Sequence, residues 1–385
     1  MSKWEWKKLK DICEKGSSNI KQSDLKDLTG DYPIFGASGY IQNVDFYQRD
    51  RDYIGIIKDG SGVGRTMLLP AFSSVIGTLQ YILPKEGNDI KFINYALQNI
   101  DFSKSVQGAA IPHIYFKDYG ETEILVPPLS EQNRIVKFLD EEFSKIDTLK
   151  TNAETNLKNA KELFETTLEK ELNPLSRHSE RSEESSAELP SGWEWKTLGD
   201  VCEKISDGSH NPPKGTAANE YKMLSSKNIF NDSLNFDDPR FLTKEEFDLE
   251  NKRTNVKKGD ILLTIVGTIG RCCVFLEDEP VVFQRSVAVL KPNVSLVYSR
   301  FLMYGIIALN IEKLGRGAAQ KGVYLKQLSN ISIPLPPLSV QKEIVARLDK
   351  LSENVKRLEA NYKQIIANCD ELKKSILKKT FERKS

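Results

Sequence analysis

The hydrophobic pattern of the chain is dominated by two long segments in which apolar residues recur at spacings of three and four. This spacing is typical of the a and d positions of a coiled coil and predicts two long helices. The two segments keep one register and are separated by 209 residues, the distance from Ile135 to Ile344. The predicted seam consists of Ile135, Leu139, Ile146, Leu149, Ile344, Leu348, Leu351, Val355, Leu358, Tyr362 and Ile365.

Each segment follows the same hinge, Pro127-Pro-Leu-Ser-Glu-Gln132 or Pro336-Pro-Leu-Ser-Val-Gln341. The serine in each hinge is predicted to be the helix N-cap. Residues 130–172 carry 7 basic and 10 acidic groups, whereas residues 339–385 carry 12 basic and 7 acidic groups. These opposite net charges favour pairing of the two helices with each other. If the two modules are related by a pseudo-twofold axis perpendicular to the helices, the helices run antiparallel. The alternatives are that the charges only face solvent and that each helix packs on its own globular unit.

The rest of the chain is also duplicated. Residues 4–15 and 193–204 are identical at nine of twelve positions, and Cys13 and Cys202 follow a β-branched residue in both copies. We interpret both cysteines as buried small apolar residues. The separation grows from 189 residues here to 209 at the hinge, so the second copy holds 20 more residues, all before its helix near residue 300. Its front half has no clear counterpart in the first copy, which predicts a shared frame with different middles.

Local patterns complete the outline. The apolar runs 53–58 and 75–83 are predicted strands separated by a Gly-rich turn, whereas residues 21–50 look irregular. Residues 173–192 are rich in Ser and Glu and predict a flexible linker.

Composition limits the class of protein. A chain of 385 residues with 39% hydrophobic and 28% charged residues has room for two or three domains. It contains no apolar run of about 18 residues. The five cysteines form no CxxC pair, so we expect a cytoplasmic protein without disulfides. His113, His178 and His210 lack metal-ligand spacing, so we expect neither a bound metal nor histidine-based catalysis.

The candidate functional residues are polar and basic side chains of the predicted loops. Arg65 and Arg271 follow similar Gly-rich turns, and each either contacts phosphate or a guanine edge or is simply solvated. Asn211-Pro-Pro-Lys214 has a lysine where adenine methyltransferases carry an aromatic residue, and we interpret the match as accidental. The DNA-binding candidates are Lys58, Arg65, Lys104, Gln107, His113, Lys117, His210, Lys214, Lys227, Arg271, Gln284, Arg285, Arg316, Gln320, Lys321 and Lys326.

Several of these motifs, in this order, resemble the specificity subunit of type I restriction–modification systems. They are Leu189-Pro-Ser-Gly192 before Trp193, Ser206-Asp-Gly-Ser-His210 with Pro213, residues 317–326, and Ile331 to Gln341 leading into a long helix. The first half repeats most of this pattern. It lacks the Asp-Gly-x-His stretch and carries Tyr32-Pro-Ile-Phe-Gly-Ala-Ser-Gly39 instead, which implies that the two halves read different sequences.

The resemblance implies an α+β protein built by pseudo-twofold internal duplication. Two target-recognition domains of mixed sheet and short helices, residues 1–129 and 193–338, would be separated by helices 130–172 and 339–385, which form an antiparallel coiled coil, with a polar linker at 173–192. Such a subunit is not an enzyme and binds double-stranded DNA at an asymmetric bipartite site. Two modification subunits would bring S-adenosylmethionine, and restriction subunits would bring ATP and Mg.

Two other functions remain open from the residues alone. A coiled-coil scaffold could join protein partners without reading DNA. A fused methyltransferase or nuclease would need a cofactor loop or a catalytic cluster. No Gly-rich cofactor loop follows a strand and opens a helix, and Asp237-Asp238 with Glu250-Asn-Lys252 matches a metal-dependent nuclease pattern only weakly.

Overall fold

The chain forms two compact units, each assembled from distant parts of the sequence. The computed structural model describes residues 4–108, 111–173, 189–314 and 322–382. The first unit comprises Met1–Thr155 with Tyr362–Ser385, and the second comprises Asn156–Asn361. Most of the predicted linker, residues 174–188, lies outside the described residues.

The first unit begins with a globular part of nine strands and three short helices among its described residues. In chain order they are β1 Glu5–Lys8, α1 Leu9–Ile12, β2 Cys13–Ser17, β3 Tyr32–Gly36, β4 Gly39–Val44, β5 Tyr53–Ile57, β6 Thr66–Leu69, β7 Ser74–Val75, β8 Leu79–Pro84, α2 Ile90–Gln98, α3 Phe116–Tyr119 and β9 Glu123–Val126. The long helix α4, Leu129–Leu172, follows.

These strands form three sheets, with orders β2-β8-β5-β6, β4-β3-β7 and β1-β9. Every residue of β5 is buried, as expected for the centre of a sheet covered on both faces. Two predictions were wrong here. The irregular stretch contains the hairpin β3–β4, whose Ile34 and Val44 are fully buried. The run 75–83 is divided between β7 and β8, and the Gly77 N–H between them donates to the Ile20 carbonyl at 2.7 Å.

The second unit contains the corresponding elements. They are β10 Glu194–Thr197, α5 Leu198–Val201, β11 Cys202–Asp207, β12 Lys222–Leu224, β13 Ile229–Phe230, β14 Ser233–Leu234, β15 Arg240–Phe241, α6 Lys244–Thr254, β16 Ile261–Thr264, β17 Cys272–Val274, β18 Val281–Phe283, β19 Val287–Pro292, α7 Ser299–Ala308, α8 Leu325–Ser329 and β20 Ser332–Leu335. The long helix α9, Leu338–Phe381, follows.

The sheets of the second unit repeat the topology of the first. Their orders are β11-β19-β16-β17, β15-β12-β18 and β10-β20, and β12 pairs with β18 in parallel as β3 pairs with β7. The duplication and the α+β class are therefore confirmed. The middles of the two units differ in sequence but share their strand order. The hairpin β13–β14 and the helix α6 are additions of the second unit.

The cysteines have the predicted role. All five are free and buried. Burial raises the pKa of both Cys13 and Cys202 to about 12, so their thiols stay protonated and pack as small apolar groups.

Each long helix begins one residue before the hinge serine, so the prediction that this serine caps the helix was wrong. In the first hinge the Pro128 carbonyl accepts hydrogen bonds from the backbone N–H groups of Glu131 and Gln132, at 2.9 and 3.0 Å. Proline favours this position because its ring sets the backbone angle and its missing N–H needs no partner. Ser130 therefore lies inside the first turn.

A buried glutamine, Gln132 in the first hinge and Gln341 in the second, ties each helix start to its unit. Its amide nitrogen donates to the carbonyl of the first hinge proline, at 2.9 Å in the first unit and 2.8 Å in the second. Its oxygen accepts the backbone N–H of the residue just before a shorter helix of the same unit. That residue is Asp89 before α2 or Tyr298 before α7, and the distance is 2.8 Å in both. One side chain thus satisfies several backbone groups that the turn leaves without partners.

The buried stripe of both helices departs from the predicted seam by one residue. Six of the predicted positions are buried: Ile135, Leu139, Ile146, Ile344, Leu348 and Val355. Leu351, Tyr362 and Ile365 are half-buried. Leu149 is 50% exposed and Leu358 is 39% exposed, so for these two the prediction was wrong.

The stripe differs from the predicted seam because two spacings of four residues follow each other, where the seam alternates spacings of four and three. The stripe of α4 continues from Leu139 to Phe143 rather than to residue 142, and then passes through Ile146, Ala153 and Ala160. The same step occurs in α9, where Ser352 is buried. An α-helix has about 3.6 residues per turn, so a strict heptad drifts off its contact face unless a step is added.

Each long helix packs on its own globular unit near its start and contributes its end to the core of the other unit. In the first unit the start of α4 packs into the domain core, and so do Cys369 and Leu377 from the end of α9. In the second unit the start of α9 joins Leu168 and Leu172 from the end of α4 in one core. Each core is thus built from its own helix and from the end of the other.

Ion pairs run between the helices within each unit. Lys150 and Asp370 are 2.7 Å apart and Asp147 and Lys373 are 2.5 Å apart, an order that makes the helices antiparallel in the first unit. The second unit has the pair Glu171 and Arg347 at 2.6 Å. These pairs are largely solvated and contribute little to stability compared with the buried stripe.

Candidate nucleic-acid interface

In the first unit the carboxyl ends of several strands meet and bring their loops together. The Gly77 N–H after β7 donates to the Ile20 carbonyl after β2, and the Lys58 N–H after β5 donates to the Thr78 carbonyl at 3.0 Å. The Arg65 guanidinium donates to the Ala37 carbonyl in the β3–β4 turn at 3.1 Å. Loops held at one end of a rigid sheet are a common place for binding residues.

The segment before α3 completes this surface. His113 pairs with Gln107 through two backbone hydrogen bonds of 2.8 Å, and the Ile114 N–H donates to the Lys58 carbonyl at 2.9 Å. The His113 ring contacts the Asp59 carboxylate. The structure therefore brings together three of the predicted residues, Lys58, Gln107 and His113.

The other candidates of the first unit lie around this centre or apart from it. The Lys117 ammonium lies 5.5 Å from the ring centre of Tyr115, on the turn after His113. Lys104 instead lines a cavity with Trp6 and Phe381, at the end of the unit where β1 pairs with β9. It is not part of the cluster around His113.

The second unit builds the equivalent surface from the equivalent strand ends. The Ser226 N–H after β12 donates to the Ser286 hydroxyl at 3.1 Å. The Ile265 N–H after β16 donates to the Ser286 carbonyl, and the Arg285 N–H donates to the Ser209 carbonyl, both at 2.9 Å. The predicted residues His210, Gln284 and Arg285 therefore lie together.

Glycine is required at the centre of this surface. A Cβ on Gly208 would lie 2.0 Å from the Phe283 carbonyl oxygen, so the chain can cross the end of β18 only without a side chain. This crossing places Asp207 below the surface and His210 on it. Asp207 also accepts hydrogen bonds from the guanidinium of Arg253 in α6.

The remaining candidates of the second unit surround this cluster. The Arg271 guanidinium lies 5.1 Å from the ring centre of Phe230 in the added hairpin, which is a cation–π contact. The arginine is half-buried. Lys227 forms an ion pair with Asp238, Lys214 follows Pro213 in the loop after β11, and Lys326 lies in α8. The predicted residues Arg316, Gln320 and Lys321 lie outside the described residues.

Sequence reasoning missed several residues of these surfaces. Asp59 and Asp207 hold the two histidines, and Arg253 reaches Asp207 from 46 positions along the chain. Of these residues, only Asp207 lay in a motif that the sequence analysis had noted, Asp-Gly-Ser-His. The aromatic side chains of Tyr40 and Phe230 are exposed and lay in no such motif.

In each unit a charged residue of a short helix contacts the long helix. In the second unit Arg300 lies between Asp349 of α9, at 2.6 Å, and Asp232 of the added hairpin, at 3.0 Å. In the first unit Lys91 contacts Asp140 of α4 at 2.7 Å. Burial opposes ionisation of Asp140, but hydrogen bonds from Lys91 and Tyr95 hold the pKa of its carboxyl below its usual value.

Within the four described ranges, no group of three or more His, Cys, Asp or Glu side chains is arranged to hold a metal ion. No helix there is long and apolar enough to cross a membrane.

Comparison with known proteins agrees with this architecture. Residues 1–159 and again residues 190–367 match the model of the type I restriction modification DNA specificity domain. The EcoBI specificity subunit of Escherichia coli is 25% identical over 72% of this chain and 61% of that protein. The MjaVIII specificity subunit of Methanocaldococcus jannaschii is 25% identical over 92% of this chain and 88% of that protein.

Solved structures show the same fold. One, described as the structural basis of complex assembly and conformational transition of the type I R-M system, superposes with a TM-score of 0.72 over 98% of this chain and 97% of that chain, at 21% identity. The HsdS subunit from Thermoanaerobacter tengcongensis superposes with a TM-score of 0.55 over 98% of this chain and 96% of that chain, at 22% identity. With both halves matched by the family model, the chain belongs to the family of type I restriction–modification specificity subunits.

Proposed function

We propose that this chain is the non-catalytic, DNA-reading subunit of a type I complex. Each unit binds one half of an asymmetric bipartite site in double-stranded DNA, and α4 and α9 determine the gap between the halves. The chain directs adenine methylation and restriction by partner subunits. S-adenosylmethionine belongs to the modification subunit, and ATP and Mg belong to the restriction subunit.

One observation carries this proposal: the equivalent surfaces of the two units present different side chains. The first surface offers Lys58, Gln107 and His113, and the second offers His210, Gln284 and Arg285. Side chains of these types form hydrogen bonds with base edges and phosphates. Two different sets on one duplicated frame are what an asymmetric site requires.

The direct test is sequencing of N6-methyladenine in DNA from cells that express the complex. We expect one split motif that depends on this chain. In Gln284→Ala/Arg285→Ala, only the half-site read by the second unit should relax, because the first surface is untouched. Each lost base contact should weaken discrimination at its position by about tenfold.

The matched control is Lys137→Ala on the exposed face of α4, which should leave both half-sites unchanged. Relaxation of both half-sites by the double variant would contradict independent reading. An assembled complex that shows no sequence preference would favour the coiled-coil scaffold, and methylation by the purified chain alone would favour the fused enzyme.

We also propose where the two modification subunits dock. The one-residue displacement of the buried stripe leaves four leucines on the exposed side of the helices. Leu149 and Leu372 belong to the first unit, and Leu358 and Leu163 belong to the second. Leu358 is the counterpart of Leu149, and Leu372 that of Leu163, each 209 residues later. Two equivalent apolar patches fit two copies of one partner.

We expect Leu149→Glu/Leu372→Glu to reduce the complex from two bound modification subunits to one, because a buried unpaired charge would weaken that contact at least about tenfold. Mass photometry of the complex measures the stoichiometry. Leu249→Glu on α6, where the leucine is 65% exposed, is the control and should retain two copies. Retention of both copies by the double variant would place the docking surface elsewhere.

A further inference from the structure

Each unit holds one histidine on its surface, and both histidines are bound by an aspartate. The Nδ1 of His113 lies 2.7 Å from Oδ1 of Asp59, and the Nε2 of His210 lies 2.7 Å from Oδ2 of Asp207. The third histidine, His178, lies outside the described residues.

The two pairs are not copies of each other. His113 corresponds, 209 residues later, to Gly322, whose backbone pairs with Val266 of the second unit. His210 instead comes from the loop after β11. The same pair of groups therefore occurs at different positions of the shared frame, in each case on the surface described above.

In the second unit the contacts determine which ring nitrogen carries the proton. Burial raises the cost of ionising Asp207, but hydrogen bonds from Arg253 and His210 hold the pKa of its carboxyl below its usual value. An ionised carboxylate can only accept hydrogen bonds, so Nε2 of His210 must donate to it. In the neutral ring Nδ1 then remains as an acceptor. The His210 side chain is 51% exposed above an aspartate that is 11% exposed.

In the first unit the geometry is similar, with the two ring nitrogens exchanged. Oδ1 of Asp59 receives the His113 ring, while the Lys58 ammonium lies 3.7 Å from its other oxygen. The His113 backbone is held by its bridges to Gln107 and Asp59, so the ring has a defined position. Nδ1 donates to the carboxylate, and Nε2 is left as the acceptor.

We propose that His113 and His210 each accept a hydrogen bond from an exocyclic amine of a base, N6 of adenine or N4 of cytosine, and that Asp59 and Asp207 are positioning residues that make the outer ring nitrogen an acceptor. This inference rests on the proposed function, since it assigns a hydrogen-bond direction to two residues of the DNA-reading surfaces.

Base chemistry makes this direction informative. In the major groove adenine and cytosine present an amino donor, whereas guanine and thymine present acceptors at the corresponding place. A fixed acceptor therefore distinguishes amino from keto bases on the contacted strand. Phosphate oxygens only accept, so a neutral ring in this orientation does not fit the DNA backbone.

The experiment combines base analogues with protein variants in the complex assembled with its modification subunit. Once the split site is known, each adenine or cytosine of a half-site is replaced in turn by purine or 2-pyrimidinone, which lack the amine. Binding is measured at mildly alkaline pH. In wild type, loss of one amine in each half-site should weaken binding about tenfold.

His210→Ala should remove the penalty at one position of its own half-site and leave the other half-site unchanged, and His113→Ala should do the converse. Each half-site is thus the control for the other. Asp207→Asn should reduce the same penalty although residue 207 does not touch DNA, because an asparagine can donate or accept and no longer selects one ring tautomer. Asp59→Asn should do so in the first half-site. A purely structural role would not couple a variant to one amine.

Three results would overturn the inference. Penalties that are identical in wild type and both histidine variants would show that the rings read no amine. Uniform weakening over all sequences, with a smaller salt dependence, would identify phosphate contacts. A penalty unchanged by Asp207→Asn and Asp59→Asn would remove the positioning role. In all three cases the proposed function stands as long as wild type selects a split site, whereas loss of that selection in wild type would contradict the proposed function itself.

Discussion

Replacing Gln341 by leucine should lower the free energy of unfolding of the second unit by about 3 kcal/mol. Leucine fills most of the space but offers no hydrogen bond. The Tyr298 N–H and the Leu296 and Pro336 carbonyls, which the amide now satisfies, would lose their partner inside the protein. An unsatisfied buried polar group costs roughly 1–3 kcal/mol, so three of them outweigh any apolar gain.

Hydrogen exchange of the second unit measures this loss, and Gln132→Leu should act in the same way on the first unit. Gln364→Leu is the control on the same helix, because Gln364 is exposed and its amide contacts only Asn368 among the hydrogen bonds seen for it. It should change stability by less than about 0.5 kcal/mol. If Gln341→Leu were equally neutral, the hydrogen bonds of this glutamine would not stabilise the hinge.

The functional consequence follows from the place of this glutamine. It connects the start of α9 with the residue that precedes α7, so its loss weakens the attachment of the helix to the domain without touching the reading loops. We expect methylation of the split site to fall while the preferred half-site sequences stay the same.

Truncating both Leu377 and Phe381 to alanine should destabilise the first unit by about 4 kcal/mol. Leu377 is buried in the core of that unit, and the Phe381 ring lies 5.4 Å from the ring of Phe92 in α2. Both come from the last turns of α9, far along the chain from the domain that they complete. Removing large side chains from a packed core loses their burial and leaves a cavity.

Hydrogen exchange in β5 and β8 reports this loss directly, and methylation sequencing should show weaker selection of the first half-site. Leu372→Ala on the same helix is the control, because this leucine is exposed and its truncation should cost less than about 0.5 kcal/mol in the isolated chain. Equal effects of the two changes, or a loss confined to the second unit, would contradict the exchange of helix ends between the cores.

The duplication, the two hinges and the long helices could be predicted from the sequence because they depend on local chemistry. Nine identities in twelve positions define the repeat. Proline, helix-forming residues and apolar spacing act over a few residues and do not need the rest of the chain. The α+β class was instead implied by the resemblance to a known family.

The details that failed depend on packing. The stripe of α4 passes Phe143 and leaves Leu149 in solvent, because the surface against which the helix packs selects the side chain that is buried. The hairpin β3–β4 was missed because its polar and glycine residues hide the buried Ile34 and Val44. Its counterpart β12–β15 shares strand order but not sequence, since many sequences satisfy one backbone arrangement.

By itself the sequence determined that two similar modules each end in a hinge and a helix, and which polar residues are available to bind DNA. Only the tertiary structure decided which of those residues meet. It joins Lys58, Gln107 and His113 across an interval of more than 40 residues, and sets Asp207 beneath His210 and beside Arg253. Hydrogen bonds between distant loops exist only once the sheets have brought the strand ends together, so no local pattern of residues can encode them.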